Sequence, residues 1–593
     1  MCGIVGYVGP RSAQPILQAA LAKLEYRGYD SCGIAVTGEQ MVVHKRSGRV
    51  AEMIASAPII SGKAGVGHTR WASCGSPNVE NAHPHLDCSG RIAVVHNGNI
   101  TNYLGLKNAL ESRGHVFLSG TDSEVIVHLI EEEYKGDVAE ALASAVRQLE
   151  GTYAIVAIHQ GEPRLAVVRR GSALVIGLGD GENWVASDVN AFAEYTGRVI
   201  YLNDGDLAVI EKESVVIKNK NRPIERRIDL IEWRPDHIEK SGYEHFMLKE
   251  IHEQPGILRK NIGIWLKTGL DPKLNGLWDK IHQPPLVVGC GSSYYAGLTA
   301  RYFMEELTGQ PIQVELASEL SHRPGTPVSR PLVIGLTQSG ETADTLSTLN
   351  RLGQAGAGVI AVTNVSGSSV TRLADQTMLL GVGPEISVAA TKTFTAQLVS
   401  LYALTLSTHG NGGNVGFESR LKELPGLLQR MLDDTDDLVD AARWLAGYSN
   451  IICIGRGPHY PVAMEAALKL KEVAYIHAEG YAAGELKHGP LALLDTHTPV
   501  VALFGARDDT WEMMLTAVRE VKVRGAPVLA LVPDDDPDIK QLADRVILMP
   551  RASRCFQPVI TAVAVQLLAY HAARSLGYPI DTPRHLAKSV TVE

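Results

Sequence analysis

A chain of 593 residues, 45% hydrophobic and 20% charged, is too long for one core and too ordinary in composition for a disordered or fibrous protein, so two or three globular domains are expected. The formal charge of -9 is not accompanied by basic tracts, which argues against nucleic acid or an anionic membrane as partner and leaves small molecules. Seven scattered cysteines without a CxxC pair exclude a disulfide framework and predict reduced thiols in a cytoplasmic compartment.

The opening MCGIVGYVG has neither the charged nor the long apolar region of a signal peptide, which leaves position 2 free for another role. From there to about residue 235, apolar runs separated by turn signals predict hairpin-rich antiparallel sheet: IAVVHNGN, GTYAIVAIH, RLAVVRRG, ALVIGLGDG, NWVASD and VIYLNDGDLAVI. Between them, Val125, Ile126, Leu129 and Ile130 recur at helical spacing within 123–134. The expected class is α+β, layered antiparallel sheets with covering helices, over residues 1–240. The charged stretch 212–240, with NKNRPIERR and WRPDHIEK, suits a strand pair followed by an interdomain connection.

Beyond it, apolar strands alternate with helical segments, the pattern of parallel sheet flanked by helices. LVVGCG from Leu286, LVIGL from Leu332, VIAVT from Val359 and LADQTMLL from Leu373 recur in order as IICIGRG from Ile451, VVALF from Val500, VLALV from Val528 and LADRVILM from Leu542. The offsets stay between 165 and 169 residues, which predicts two duplicated α/β lobes, at 241–425 and 426–593. The uncharged run 555–573, broken by Gln557, Pro558, Gln566 and His571, predicts a buried helix rather than a membrane span.

Cysteine attacks as thiolate, and its ordinary pKa of about 8.5 calls for a base. Removing Met1 would expose an α-amine of pKa about 7.7 to 8.0 beside the Cys2 thiol. Alone, Cys2 reads better as a small buried hydrophobe in an N-terminal strand, the commoner fate of a lone cysteine. Taken together, MCGIVGYVG, EYRGYDSCGIAV, GHTRWASCG, NAHPH, VVHNGN and GTDSE resemble the N-terminal-nucleophile glutamine amidotransferases. The resemblance implies that Cys2 attacks the side-chain amide of glutamine and that Asn97 and the Gly98 backbone form the oxyanion hole. It gives the substrate α-carboxylate to Arg70 and the α-ammonium to Asp122, sets Trp71 at the closure of a route between sites, and places His83 in the substrate-binding set.

Plainer readings stand beside these. Thr121 and Glu124 have capping-box spacing, which would set Asp122 against a helix N-terminus. Arg70 could be a surface charge and Trp71 core, and His83 with His85 suits a hydrogen-bonded structural pair better than a metal site. RWASCG carries Ser73 and Cys74 where the family commonly has threonine and histidine, and Cys74 is a second candidate thiol that lacks the terminal amine.

In the second half, GCGSS and TQSGET can aim N–H groups and hydroxyls at an anion, although ordinary strand-to-helix turns look alike and neither is a nucleotide fingerprint. With the duplication they resemble the sugar isomerase fold, which implies a sugar phosphate held by Ser293, Thr337, Gln338, Ser339 and Thr342. Glu465, Lys469 and Glu472 fall at i, i+4 and i+7 on one helix face, either a solvated salt-bridge row or a site. With GELKHGP and the terminal PRHLAKSVTVE, this segment resembles the glutamine:fructose-6-phosphate aminotransferase family, and the resemblance runs from Cys2 to Glu593. It implies that Glu472 moves a proton between sugar carbons 1 and 2 and that Lys588 forms a Schiff base with the ketone. Lys469 would manage charge nearby with Glu465 in the substrate set, and His488 of the partner subunit in a homodimer would open the ring. Glutamine and fructose 6-phosphate are the expected partners, with no metal, organic cofactor, nucleic acid or membrane. Rival readings are an amidotransferase or deglycase acting on another phosphosugar, and a sugar-phosphate sensor that has lost its chemistry.

Overall fold

The computed structural model describes residues 2–231, 239–268, 285–323, 332–409 and 415–590. They divide into two compact units: the first takes in the chain up to 231 with 341–343 and 587–590, and the second takes in the rest. Met1, most of WRPDHIEK and the last three residues lie outside the described residues.

The first unit is built on two antiparallel sheets. The eight-stranded sheet runs Asp229–Leu230, Arg198–Tyr201, Val175–Leu178, Asn183–Ala186, Gly3–Val8, Ala64–Arg70, Ser31–Thr37, Met41–Ser47. The seven-stranded sheet runs Arg222–Ile224, Val215–Asn219, Asp206–Ile210, Glu162–Arg170, Gly151–His159, Ile92–Ile100, His85–Leu86. Side chains alternate across a strand, and here both faces are covered. Ile4 and Val8 enter the core between the sheets with Ala93 and Val95. Val5 and Tyr7 point the other way, toward helix Ala13–Leu24. Ile92 and Val94 pack under helices Glu124–Glu133 and Val138–Ala145. Burial on two faces explains why these strands read as nearly continuous apolar runs, each large aliphatic side chain contributing about 1.5–3 kcal/mol when buried. The charged stretch after residue 212 forms the expected strand pair, turned by Lys220 at φ 49 and Asn221 at φ 62, the two left-handed positions of a tight hairpin.

The second unit contains the duplication. One parallel sheet has the order Gln313–Leu316, Leu286–Gly289, Leu332–Thr337, Gly358–Thr363, Gln376–Leu379. The other has His477–Ala482, Asn450–Gly455, Val500–Leu503, Val528–Val532, Arg545–Leu548. Both follow the order 2-1-3-4-5, so each opens a crevice where the first and third strands end and the connections diverge. Even the turns repeat: Gly291 and Gly457, each just past its lobe's first strand, both have φ 54. Helix Gln557–Leu576 is long and apolar enough to cross a membrane by length and composition, but 78% of its apolar window is buried within the protein. It packs against helices His459–Ala474 and Asp436–Leu445, as a core helix does.

Candidate active sites

Cys2 stands at the head of Gly3–Val8, and antiparallel pairing sets Gly3 opposite Thr69, so the thiol meets the chain leaving the neighbouring strand. Trp71 N donates to Cys2 Sγ at 3.3 Å, and the thiol lies 3.5 Å from Trp71 O. Burial pushes the Cys2 thiol up, and the Trp71 N–H and the Arg70 charge pull the other way. A thiol held in this balance requires a base to become nucleophilic.

Asn97 faces it from the other sheet. Its Nδ2 donates to Cys2 O at 2.8 Å, and its Oδ1 accepts from His68 Nε2 at 3.0 Å. The same ring nitrogen reaches His96 O at 3.0 Å. Both partners of Nε2 are carbonyl oxygens, so this nitrogen carries the proton, and the Asn97 amide is thereby fixed with its N–H groups toward Cys2. Burial drives the His68 pKa down to about 3, so the ring is neutral. Gly98, next in the strand, has φ 140, and a Cβ there would lie 2.1 Å from Thr152 O, so only glycine fits.

Arg70 is 3% exposed and is no surface charge. Its Nη1 donates to Ser76 O at 3.2 Å, and its Nη2 to Gly75 O at 3.1 Å and to Cys74 O. The guanidinium thus organises the 74–76 loop. That loop is tied to the segment before Asp122: Cys74 Sγ lies 3.7 Å from Gly120 O, and Asn81 bridges Ser76 O and Gly120 N. Buried Asp122 accepts from Ile100 N at 2.8 Å. The capping box expected of Thr121 and Glu124 does not form. Glu124 instead accepts from Leu118 N at 2.8 Å and Ser119 N at 2.6 Å, while Thr121 Oγ1 pairs with Ser119 and His85. The expected His83–His85 hydrogen-bonded pair does not form either: the two rings meet edge to face, 68° between their planes, with centroids 4.5 Å apart. His85 bonds Thr121, whereas neither ring nitrogen of buried His83 has a hydrogen-bond partner among the described residues. Trp71 is half-buried rather than core.

In the second unit, helix His459–Ala474 carries the charged row, and the row is not solvated. Lys469 is 0% exposed, 3.4 Å from Glu465 Oε1 and 2.5 Å from Glu472 Oε2. Ser292 Oγ donates to Glu465 Oε1 at 3.0 Å, and Glu465 Oε2 is buried without a hydrogen-bond partner among the described residues. Burial pushes Glu465 up to about 7, only partly opposed by Lys469. Lys469 itself is raised, because Glu465 and Glu472 outweigh the burial that would lower it. The result is a permanent buried cation between a carboxyl near its titration point and the more exposed Glu472.

Ser293, which accepts from Gln397 Nε2 at 3.0 Å, lies in the first turn of helix Gly291–Thr308, after the first strand of its lobe. Thr337 ends the third strand in spatial order, accepting from Gly340 N at 3.2 Å, and Gln338 O accepts from Asn364 N at 3.1 Å; Ser339 lies in the same tight turn. These residues share the crevice end of one sheet. Thr342 and Lys588 fall in the first compact unit, and His488 is exposed at the end of the turn Ala483–His488. Sequence reasoning missed His68, although it sits in GHTRW, and Asp30, whose carboxylate accepts from Ala72 N at 2.7 Å. It also missed Ser292 within GCGSS. Buried Glu385, which holds Thr391 N at 3.0 Å and Thr393 N at 3.1 Å at the start of helix Lys392–His409, offered no spacing signal at all.

The glutamine amidotransferase domain family matches residues 68–194, and the SIS domain family matches 285–407 and 445–576. The isomerising glutamine–fructose-6-phosphate aminotransferase of Symbiobacterium thermophilum is 45% identical over 612 residues, and that of Thermus thermophilus 43% over 613, each match covering 100% of both chains. Among solved structures, the C-terminal domain of glucosamine-fructose-6-phosphate aminotransferase from Francisella tularensis is 36% identical with a TM-score of 0.55, covering 58% of this chain and 100% of that one. With full-length likeness joined to both kinds of domain, the chain belongs to the family of isomerising glutamine–fructose-6-phosphate aminotransferases.

Proposed function

We propose that the chain transfers the amide nitrogen of L-glutamine to D-fructose 6-phosphate, giving L-glutamate and D-glucosamine 6-phosphate, the first step of hexosamine synthesis. The reading rests above all on one juxtaposition: Asn97, locked by a neutral His68, directs its amide N–H groups toward Cys2, in a chain that also buries a carboxyl–ammonium–carboxylate row on a sugar-isomerase lobe.

Once Met1 is removed, the α-amine takes the thiol proton and the thiolate attacks the glutamine amide carbon. The oxyanion is met by Asn97 Nδ2 and Gly98 N, donors that contribute about 3 to 4 kcal/mol each. Arg70 and Asp122 match the α-carboxylate and α-ammonium, with His83 and Trp71 lining the substrate. Ammonia departs as the thioester forms, water then releases glutamate, and an internal passage closed by Trp71 delivers the ammonia. On the second site the phosphate is held by Ser293, Thr337, Gln338, Ser339 and Thr342. His488 of the partner subunit opens the ring and Lys588 holds the ketone as a Schiff base until ammonia displaces it. Glu472 then carries the proton from carbon 1 to carbon 2, with Lys469 paired to its carboxylate and managing charge beside Glu465. The working arrangement is a cytoplasmic homodimer with domains at 1–240, 241–425 and 426–593.

The test measures glutamate and glucosamine 6-phosphate together for wild type and Cys2→Ala, first with glutamine and then with ammonia as donor. The variant is expected to lose both products with glutamine and keep synthesis with ammonia. Glutamine-dependent synthesis surviving in Cys2→Ala would transfer the nucleophile to Cys74, and no amino sugar from either donor would refute the reaction.

A further inference from the structure

Away from both sites, four side chains of the first unit converge from separate segments. Cys88 lies in the turn between strands His85–Leu86 and Ile92–Ile100, and His115 follows helix Tyr103–Ser112. His128 and Glu131 stand at i and i+3 on helix Glu124–Glu133. We infer that these four residues form a structural zinc site.

The geometry carries the inference. A tetrahedral zinc ion with bonds of about 2.3 Å to sulfur and about 2.0–2.2 Å to nitrogen and oxygen sets its ligand atoms roughly 3.3 Å apart, or about 3.6 Å where sulfur is one of the pair. Here His115 Nδ1 and His128 Nδ1 are 3.3 Å apart, and each faces Glu131 Oε2, at 3.1 and 3.2 Å. Cys88 Sγ is 3.7 Å from the first ring nitrogen and 3.6 Å from the second. All four ligand atoms lie within 4.8 Å of one another. Without a cation, two imidazole nitrogens, a thiol and a carboxylate oxygen already taken by Cys88 N at 3.1 Å must share protons among edges that are nearly all mutual. One divalent ion satisfies all four lone pairs at once.

The surroundings are those of a metal site. Behind the rings stand further carboxylates, Glu132 Oε1 3.5 Å from His115 Nε2 and Glu124 Oε1 3.8 Å from His128 Nε2. Carboxylates at these ion-pair distances favour electron-rich imidazole ligands, although His128 Nε2 has no hydrogen-bond partner among the described residues. A thiolate with two imidazoles and one carboxylate favours zinc over harder cations, and four protein ligands leave no open position for catalysis. The ion would staple the 88 turn and the 115 loop to the helix that follows Asp122, and Glu124 extends that support to Leu118 and Ser119.

Full-length protein made in zinc-supplemented medium and passed over chelating resin is expected to retain about one zinc per chain by elemental mass spectrometry. Cys88→Ser/His128→Ala should retain under about a tenth of that, whereas Cys2→Ala should keep it. Should the double variant not fold, stripped wild-type protein titrated with cobalt(II) should develop a thiolate-to-cobalt charge-transfer band with the intense visible bands of tetrahedral cobalt, and His115→Gln should lose them. Zinc that follows Cys2 rather than Cys88, or a wild type that binds neither zinc nor cobalt in this manner, overturns the assignment.

Discussion

At Lys469 a single side chain shows which contacts are structural capital and which are chemistry. Removing one partner of a buried ion pair strands the other, whereas replacing a group that is already close to neutral strands nothing. Lys469 is fully buried between two carboxylates, while burial holds Glu465 near pKa 7. Lys469→Met should therefore lower unfolding stability by about 3–5 kcal/mol and abolish sugar amination. Glu465→Gln, which keeps shape and the Ser292 contact, should stay within about 1 kcal/mol of wild type at pH 6. Urea unfolding of both variants checks the pair. Equal losses would mean that Glu465 is a full carboxylate in the native state.

Strand Ile92–Ile100 carries Asn97 and Gly98 side by side and is tied to the other sheet through His68. The Gly98 backbone at φ 140 runs against Thr152 O, so Gly98→Ala must displace the strand beside Asn97. Loss of an oxyanion-hole donor costs about 100- to 1,000-fold in turnover, so glutamine hydrolysis should fall by that order while ammonia-dependent synthesis survives. Unchanged hydrolysis would remove Gly98 from the oxyanion hole. What the sequence disclosed at this scale follows from periodicity. Runs such as GIVGYV and IAVVHNGN are visible because both faces are buried, and the lobe duplication because strand, glycine turn and spacing repeat together. What it hid are relations that cross between elements. Asn97 is locked by His68 from the opposite sheet, and no spacing announces that register. Thr121 and Glu124 have capping-box spacing, yet Glu124 is drawn to Leu118 and Ser119 instead. His83 and His85, two apart, read as a structural pair rather than a metal site, and the ligand geometry belongs instead to Cys88, His115, His128 and Glu131, of which only the last two are close in sequence.

At the scale of the whole molecule, buried histidines give the two units different responses to acid. In the first unit, burial drives His68 and His85 down to about 3, and His83 and His96 are lowered in the same sense. Lys45 and Arg70 add repulsion around His85, and Glu124 and Asp122 oppose it at His85 and His96 respectively. Between pH 6.5 and 3 the unfolded state binds these protons and the native state does not, so their stabilisation is complete above 6.5 and is lost as pH falls toward 3. At pH 5, His68 and His85 together account for about 4 kcal/mol. In the second unit His459 and His571, lowered to about 4, act in the same direction. Glu465 acts against them: raised to about 7, it contributes stability that is full below its unfolded value and lost as pH rises through 7. Acidification from pH 7 to 5 should therefore weaken the first unit more than the second. Hydrogen exchange read by mass spectrometry, corrected for intrinsic rates, can follow Ala64–Arg70 and Ile92–Ile100 against His459–Ala474. The two strands should lose about 4 kcal/mol of opening free energy and the helix less than about half as much; an equal loss in both would show that the buried histidines do not set the acid response.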